Sequence, residues 1–488
     1  MPLVFVLVPL IALLAINLPL GSVGRKLGFP TAALLALLQI GAVLAAPGAW
    51  LGSPAPSGAS GVAPVVGGLK LAFSADRLSL LLLLSIGIAA LAALCVARGL
   101  ERKEDRGGES RFYNLVILAM AGMNGVSLVT DFFSLYIFLE ITAVSSYVLI
   151  ALEREKEGLE GAFKYLILSV IATVMMLTAI GLFLLTTGDT SFAAVAKAVS
   201  AGQAGTGASD WTLLLAAGLF TAGLCVKGGL VPFHAWVPDA YSSAPAPVSV
   251  LLAGIVTKTT GVYTLIRLAG TVFAGAFHIE LIFLVVGILT VVVGALAAMW
   301  QKDMKRMLAY SSISQVGYIV LALGAASPLG AAAAAFHLFN HAIFKGQLFV
   351  NAAAVEAQTG TRDMDELGGL GSRMPLTSWT SVIAFLSAAG IPPLAGFWSK
   401  LLIVLALWKS GHPIFAVAAI LASILTLAYF LMLQRKVFFG KSLEKLGSVK
   451  EASAWLVVPA LVLALVSLAV GLLFPMLWNT ILVQVPGI

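Results

Sequence analysis

Apolar stretches long enough to cross a bilayer, each closed by a short polar or Gly/Pro-rich interval, recur from one end of the sequence to the other. About 20 mostly apolar helical residues span the hydrocarbon core. Runs of that kind fall at 3–20, 30–47, 75–97, 112–129, 131–152, 163–187, 211–231, 246–270, 277–300, 309–325, 331–356, 377–409, 413–437 and 453–476. They predict an all-α polytopic membrane protein of about 14 transmembrane helices. The first run has neither a basic n-region nor a small-residue cleavage site, so it reads as a helix rather than a signal peptide. Pro47 to Gly68 and Thr187 to Asp210 are rich in small residues and read as spacers, the second with a helical turn around Phe192–Val199.

Two of the runs are interrupted. One breaks at Lys227-Gly228-Gly229-Leu230-Val231-Pro232, the other at Gly390-Ile391-Pro392-Pro393-Leu394-Ala395-Gly396. Proline removes an amide donor and clashes with the preceding turn, so a helix kinks or stops there. Unwound backbone at membrane depth is tolerated only against protein or a wet cavity. The breaks lie roughly 160 residues apart, and the runs starting near 112 and 277 are offset alike, which suggests an internal repeat. The expected organisation is 1–111 as N-terminal transmembrane helices 1–3, 112–270 as a five-helix repeat, 277–437 as a second, and 438–488 as a C-terminal loop and helix 14. Five helices is an odd number, so the second repeat enters from the opposite side. Inverted repeats with paired broken helices mark ion and solute translocators. Gly/Pro kinks are also ordinary in membrane helices, and the lysine near each break is what sets these two apart.

Composition removes the soluble classes. The chain is 60% hydrophobic and 10% charged, with a mean hydropathy of +1.03. The net charge of +7 is not a nucleic-acid footprint. Basic residues gather after the odd-numbered runs: Arg25 and Lys26, Arg98 to Arg111, Arg154 to Lys164, Lys302 to Arg306, Arg362 and Arg373, and Arg435 to Lys450. The other loops hold Lys70, Lys197 and little else. By the positive-inside rule these basic loops are cytoplasmic and both termini lie outside, in a multi-pass protein of the cell inner (plasma) membrane. Cys95 and Cys225 fall inside apolar runs and carry no disulfide or metal signature.

The candidate chemistry lies in charges buried among apolar residues. A charge at the bilayer centre costs at least about 2.5–3.5 kcal/mol, so such positions are functional candidates by default. Glu140 lies near the middle of its run, and Lys227 at the first break is its expected partner, each favouring the charged form of the other. A purely structural ion pair is the alternative. Lys258 has no counter-charge nearby in sequence, and a desolvated lysine can load and release a proton reversibly. Snorkelling would need a less central position. His337, His341 and Lys345 follow i, i+4, i+8 spacing on one helical face and would form a proton-relay ladder with bridging waters. Hydrogen-bonded core histidines are the plainer reading, and no third ligand supports a metal. His234 follows Pro232 and links the first break toward solvent, and Lys400 follows the second break and ends the relay.

Four motifs in order carry a resemblance. Val231-Pro232-Phe233-His234-Ala235-Trp236-Val237-Pro238-Asp239-Ala240, continuing through Ala244 to Ser249 and on to Lys258, resembles the signature of the antiporter-like membrane subunits. These occur in respiratory complex I, Mrp-type cation/proton antiporters and membrane-bound hydrogenases. Asp303 to Gly317, His337 to Lys345 and Gly390 to Lys400 are similar to further motifs of that family. The resemblance covers about 112–437; the flanking helices fit the fourteen-helix core by count alone. It implies that Glu140 and Lys227 form a charge pair and that Lys258 is the central proton carrier. It also implies that His337, His341, Lys345 and Lys400 lead outward. The Gly390-Ile391-Pro392-Pro393-Leu394-Ala395-Gly396-Phe397 run is similar to both the Mrp D-type and the quinone-reductase N-type subunits.

The expected function is proton translocation, with sodium coupling open, by a membrane subunit of a multi-subunit complex of the NADH-quinone oxidoreductase, Mrp antiporter or membrane-bound hydrogenase type. Its partners would be other membrane subunits, antiporter-like paralogues among them. No Cys cluster, phosphate-cradling Gly loop or haem motif points to a cofactor, and no nucleophile–base pair points to catalysis by this chain. The rival is a stand-alone secondary transporter of a small solute.

Overall fold

The computed structural model describes residues 2–18, 22–45, 62–64, 70–100, 106–202, 208–273, 279–441 and 443–478. Most of these are helical. In chain order the first helices are α1 (Val4–Ile16), α2 (Ser22–Leu44), α3 (Arg77–Leu100), α4 (Arg106–Leu128), α5 (Phe132–Ile150) and α6 (Lys156–Thr187). A short α7 (Phe192–Gly202) precedes α8 (Ala208–Gly228) and the short α9 (Trp236–Ser243). Then come α10 (Ala246–Thr271), α11 (Ile279–Met299), α12 (Met304–Leu323) and α13 (Pro328–Thr359). The chain continues through α14 (Pro375–Ala389), α15 (Ala395–Lys409), α16 (Pro413–Val437), α17 (Ala454–Leu472) and α18 (Phe474–Leu477). Among the described residues, 9 helices are long and apolar enough to cross a membrane.

Most of the spacer at Pro47 to Gly68 lies outside the described residues. Within it, Val62–Pro64 pairs antiparallel with Lys70–Ala72 as strands β1 and β2, an element that its composition of small residues did not announce. The second spacer does contain the expected helical turn, extended to Phe192–Gly202 as α7. The run at 377–409 divides into α14 and α15 at the marked Gly/Pro break.

Local sequence explains where the helices begin and end. Asp131 caps α5 by accepting from the Ser134 amide at 2.7 Å, and Asp303 caps α12 by accepting from the Arg306 amide at 2.8 Å. Pro328, Pro375 and Pro413 occupy first turns, where a missing amide leaves no bond unmade. Helices α6 and α13 each run 32 residues and stop at a glycine in the left-handed region, Gly188 at φ 70° and Gly360 at φ 71°.

The two expected breaks are both present. After α8 the chain turns through Gly229 at φ 67° and a cis Val231-Pro232 bond into α9. After α14 it turns through Gly390 at φ 87° and a cis Pro392-Pro393 bond into α15. Around them, α13 is the hub, packing against α12, α14, α15, α17, α3 and the start of α10. Every residue of α13 from Gly330 to Val355 is buried.

Candidate functional site

The first site group joins three helices. Lys227, in the last turn of α8, places its Nζ 2.8 Å from Glu140 Oε1 on α5 and 3.1 Å from Ser169 Oγ on α6. Thr173 Oγ1, one helical turn after Ser169, donates to the same Glu140 oxygen at 2.7 Å. The lysine side chain is 2% exposed and the glutamate 26%, so the pair runs from the interior to the flank of the bundle. The pairing expected from the sequence is thus in contact. Ser169 and Thr173 were not anticipated, since hydroxyls are common on membrane helices and only packing shows which ones meet a charge.

Lys258 sits in a stretch of α10 wound as a π-helix, Lys258–Tyr263, preceded by a second π-helical segment, Leu252–Val256. The wider turn shifts side chains off the faces that 3.6-residue periodicity assigns, and such segments recur at functional sites. The lysine is wholly buried and has no carboxylate partner among the described residues. Its Nζ lies 3.0 Å from Thr257 Oγ1, 3.4 Å from Tyr241 Oη and 5.5 Å from the centre of the Tyr241 ring. Tyr241 and Thr257 share a 2.7 Å hydrogen bond, and Tyr241 also donates to Leu252 O. Hydroxyls and a ring face solvate the ammonium without neutralising it.

The third group lies on α13. Lys345 Nζ donates to Leu308 O at 3.2 Å and to Ser311 Oγ on α12, and sits 5.5 Å from the Phe430 ring centre. His337 Nδ1 is 2.8 Å from Ser399 Oγ, near the start of α15 after the second break. Both ring nitrogens of His341, and His337 Nε2, are buried without a hydrogen-bond partner among the described residues. Lys400 places its Nζ over the Tyr318 ring, 4.4 Å from its centre, and 3.5 Å from Ala389 O at the end of α14.

These groups share one region: the Lys258–Tyr263 segment of α10 and α15, which carries Lys400, both pack against α13, which carries His337, His341 and Lys345. Three lysines and two histidines are thus buried together with no carboxylate partner among the described residues. His234 stands apart. It lies half-buried in the turn between α8 and α9, its backbone carbonyl accepting from the Val237 amide, and no hydrogen bond joins its ring to Lys227 or Lys258.

The chain has clear relatives. Residues 129–426 match the family described as NADH:quinone oxidoreductase/Mrp antiporter, TM. NADH-quinone oxidoreductase subunit N of Desulforudis audaxviator is 35% identical over 434 residues, covering 88% of this chain and 85% of that protein. The D-type Na(+)/H(+) antiporter protein of Alkalihalophilus pseudofirmus is 34% identical over 333 residues, covering 68% of this chain and 66% of that one. Among solved structures, a chain of the Mrp complex from Dietzia sp. DQ12-45-1b superposes with a TM-score of 0.87 at 26% identity, covering 100% of this chain and 96% of that one. This multi-pass membrane chain belongs to the NADH:quinone oxidoreductase/Mrp antiporter transmembrane family.

Proposed function

We propose that the chain carries protons across the cell inner membrane as one subunit of a larger assembly, either a redox-driven complex or an antiporter in which sodium is the counter-ion. The observation that carries this reading is a set of buried bases with no carboxylate partner among the described residues: His337, His341 and Lys345 on α13, and Lys258 on α10 and Lys400 on α15, both of which pack against α13. In this reading the Glu140–Lys227 pair governs loading, Lys258 is the central carrier, and Lys400 is the last stop. His234 links the first break toward solvent. Nothing in the row supplies energy, so partner subunits, paralogues of this chain among them, or an opposing gradient must do so.

The repeat boundaries at 112–270 and 277–437 belong to the same proposal, as do segments 1–111 and 438–488, the fourteen-helix count and the outside placement of both termini. Three correspondences support the repeat. Asp131 and Asp303 each cap the helix that precedes a 32-residue helix. Asp131 bridges to Ser191 and Asp303 to Asp363, each partner lying just past that long helix. These matching positions stand roughly 170 residues apart, and the next long helix after each, α8 and α14, ends at a left-handed glycine, Gly229 and Gly390.

A stand-alone solute transporter would need a central cavity with groups complementary to a substrate. One cavity, of about 630 Å³, lies between α4, α5 and α6, lined by Arg111, Asn114, Tyr147, Arg154 and Phe163. Purification from native membranes, followed by reconstitution with a pH-sensitive dye, tests the proposal. Co-purifying redox or antiporter subunits, with a dye response that Lys258→Ala abolishes, is the expected result. A lone chain that moves a solute independently of Lys258 overturns it.

A further inference from the structure

At the basic-loop end of the bundle the structure holds two ionisable groups that the row above does not use. Glu356 lies about three helical turns beyond Lys345 on α13, on the same face. Its side chain is 33% exposed, yet its Oε2 is buried without a hydrogen-bond partner among the described residues. Lys305 Nζ lies 3.9 Å from that oxygen, and Arg362 Nε lies 3.7 Å from Oε1. Both separations exceed hydrogen-bond length, so the carboxylate is attracted by cations without being locked to them. The Lys227–Glu140 pair, at 2.8 Å, is closed by contrast.

Lys305 faces inward. Its side chain is 4% exposed and donates to Ala244 O at 2.7 Å, the residue that ends α9. Ala244 O also accepts from Ser249 Oγ, which donates to Tyr241 O as well, and the Tyr241 hydroxyl meets Lys258. On its own helix, Lys305 lies one turn before Leu308 and about two turns, roughly 9 Å of rise, before Ser311. Leu308 O and Ser311 Oγ are the groups that hold Lys345. The other charges facing this site are Asp303 and Glu153, which act on Lys305, and Glu157 beside Arg362.

We propose that Glu356 and Lys305 form the port through which protons from the basic-loop side reach the buried row. This rests on the function proposed above. A solvent proton converts the Glu356 carboxylate to the acid. The acid passes it to the Lys305 amine once that lysine has given its own proton inward to Lys345, which restores carboxylate and ammonium.

The test uses the intact assembly in proteoliposomes, with assembly checked for each variant. Glu356→Gln is expected to slow proton movement by at least about tenfold and to remove its response to pH on the basic-loop side, while Glu356→Asp retains most of the rate. Lys305→Arg separates relay from structure. Guanidinium can still bind Ala244 O but does not release a proton, so the variant should fail. Wild-type rate and pH response in Glu356→Gln, or full transport in Lys305→Arg, overturns the port. Lys258→Ala in the same preparation reports on the parent reading: if it still pumps, that reading falls; if it is inactive while Glu356→Gln pumps normally, only the port falls.

Discussion

Lys227 is buried to the same degree as the leucines around it, and the Glu140 oxygen 2.8 Å away is what makes its charge tolerable there. Removing one member of a buried pair costs roughly 3–5 kcal/mol, much of it from the stranded charge. Glu140→Gln and Lys227→Met are each expected to cripple transport, and the double variant to be less impaired than the two losses added together. A double-mutant cycle on transport rate checks this, and strict additivity would show that the contact carries no coupling. Lys258 presents the opposite case, an amine held by hydroxyls and a ring. Lys258→Arg keeps the positive charge but should abolish most proton movement, because guanidinium holds its proton; a dye assay in proteoliposomes reads the outcome. The charged pair could be anticipated because two lone charges in apolar runs need each other. Tyr241, Thr257, Ser311 and Ser399 could not, since they approach from other turns and other helices and no spacing records it. Lys305 and Glu356 were hidden for a different reason: at helix ends they look like ordinary loop charges.

The helices themselves were largely legible, because bilayer-length apolar runs separated by charge or Gly/Pro leave few alternatives. The winding within a run was not. Nothing in Leu252 to Tyr263 distinguishes π from α turns before packing is known, and the close approach of α10 to α8 explains part of the local geometry. A Cβ on Gly261 would collide with the Cα and the nitrogen of Gly228, both backbone atoms that have nowhere to move. Gly261→Ala should therefore force α10 away from α8 next to Lys258, destabilising the protein by about 1–3 kcal/mol as other overpacked cores do. Gly218→Ala, on the same α8 with nothing within 4 Å, is the control and should be neutral or mildly stabilising. Thermal unfolding in detergent compares the two, and equal melting temperatures would remove the steric argument.

Across the bundle, the basic-loop end is held by shared charges. Asp239, in the first turn of α9 after the first break, accepts from Lys164 on α6 at 2.7 Å and from Arg306 on α12 at 2.6 Å, tying together elements of both proposed repeats. These groups are partly exposed, so solvent screens them. Asp239→Asn is expected to lower stability by about 1 kcal/mol at low salt and by less at high salt. Unfolding at two ionic strengths checks this, and a salt-independent loss would point to backbone packing instead. Farther out, Lys436 and Lys302 beside the exposed Asp365 hold its carboxyl below the usual range, a local effect of hydrogen bonding at the surface.

The burial of α13 from Gly330 to Val355 bears on how the protein is made. With two histidines, a lysine, a glutamine and two asparagines in that stretch, α13 is not among the described helices apolar enough to cross a membrane by composition. Its neighbours, rather than lipid, receive every one of those groups. A nascent chain that has emerged only as far as Gly360 presents this helix before α14, α15 and α17 exist to cover it. A solitary helix of that composition partitions poorly into lipid, so α13 should wait at the translocation machinery and enter together with the helices that follow. Glycosylation mapping of chains truncated after Gly360 and after Leu472 would show the difference as an orientation acquired only in the longer product.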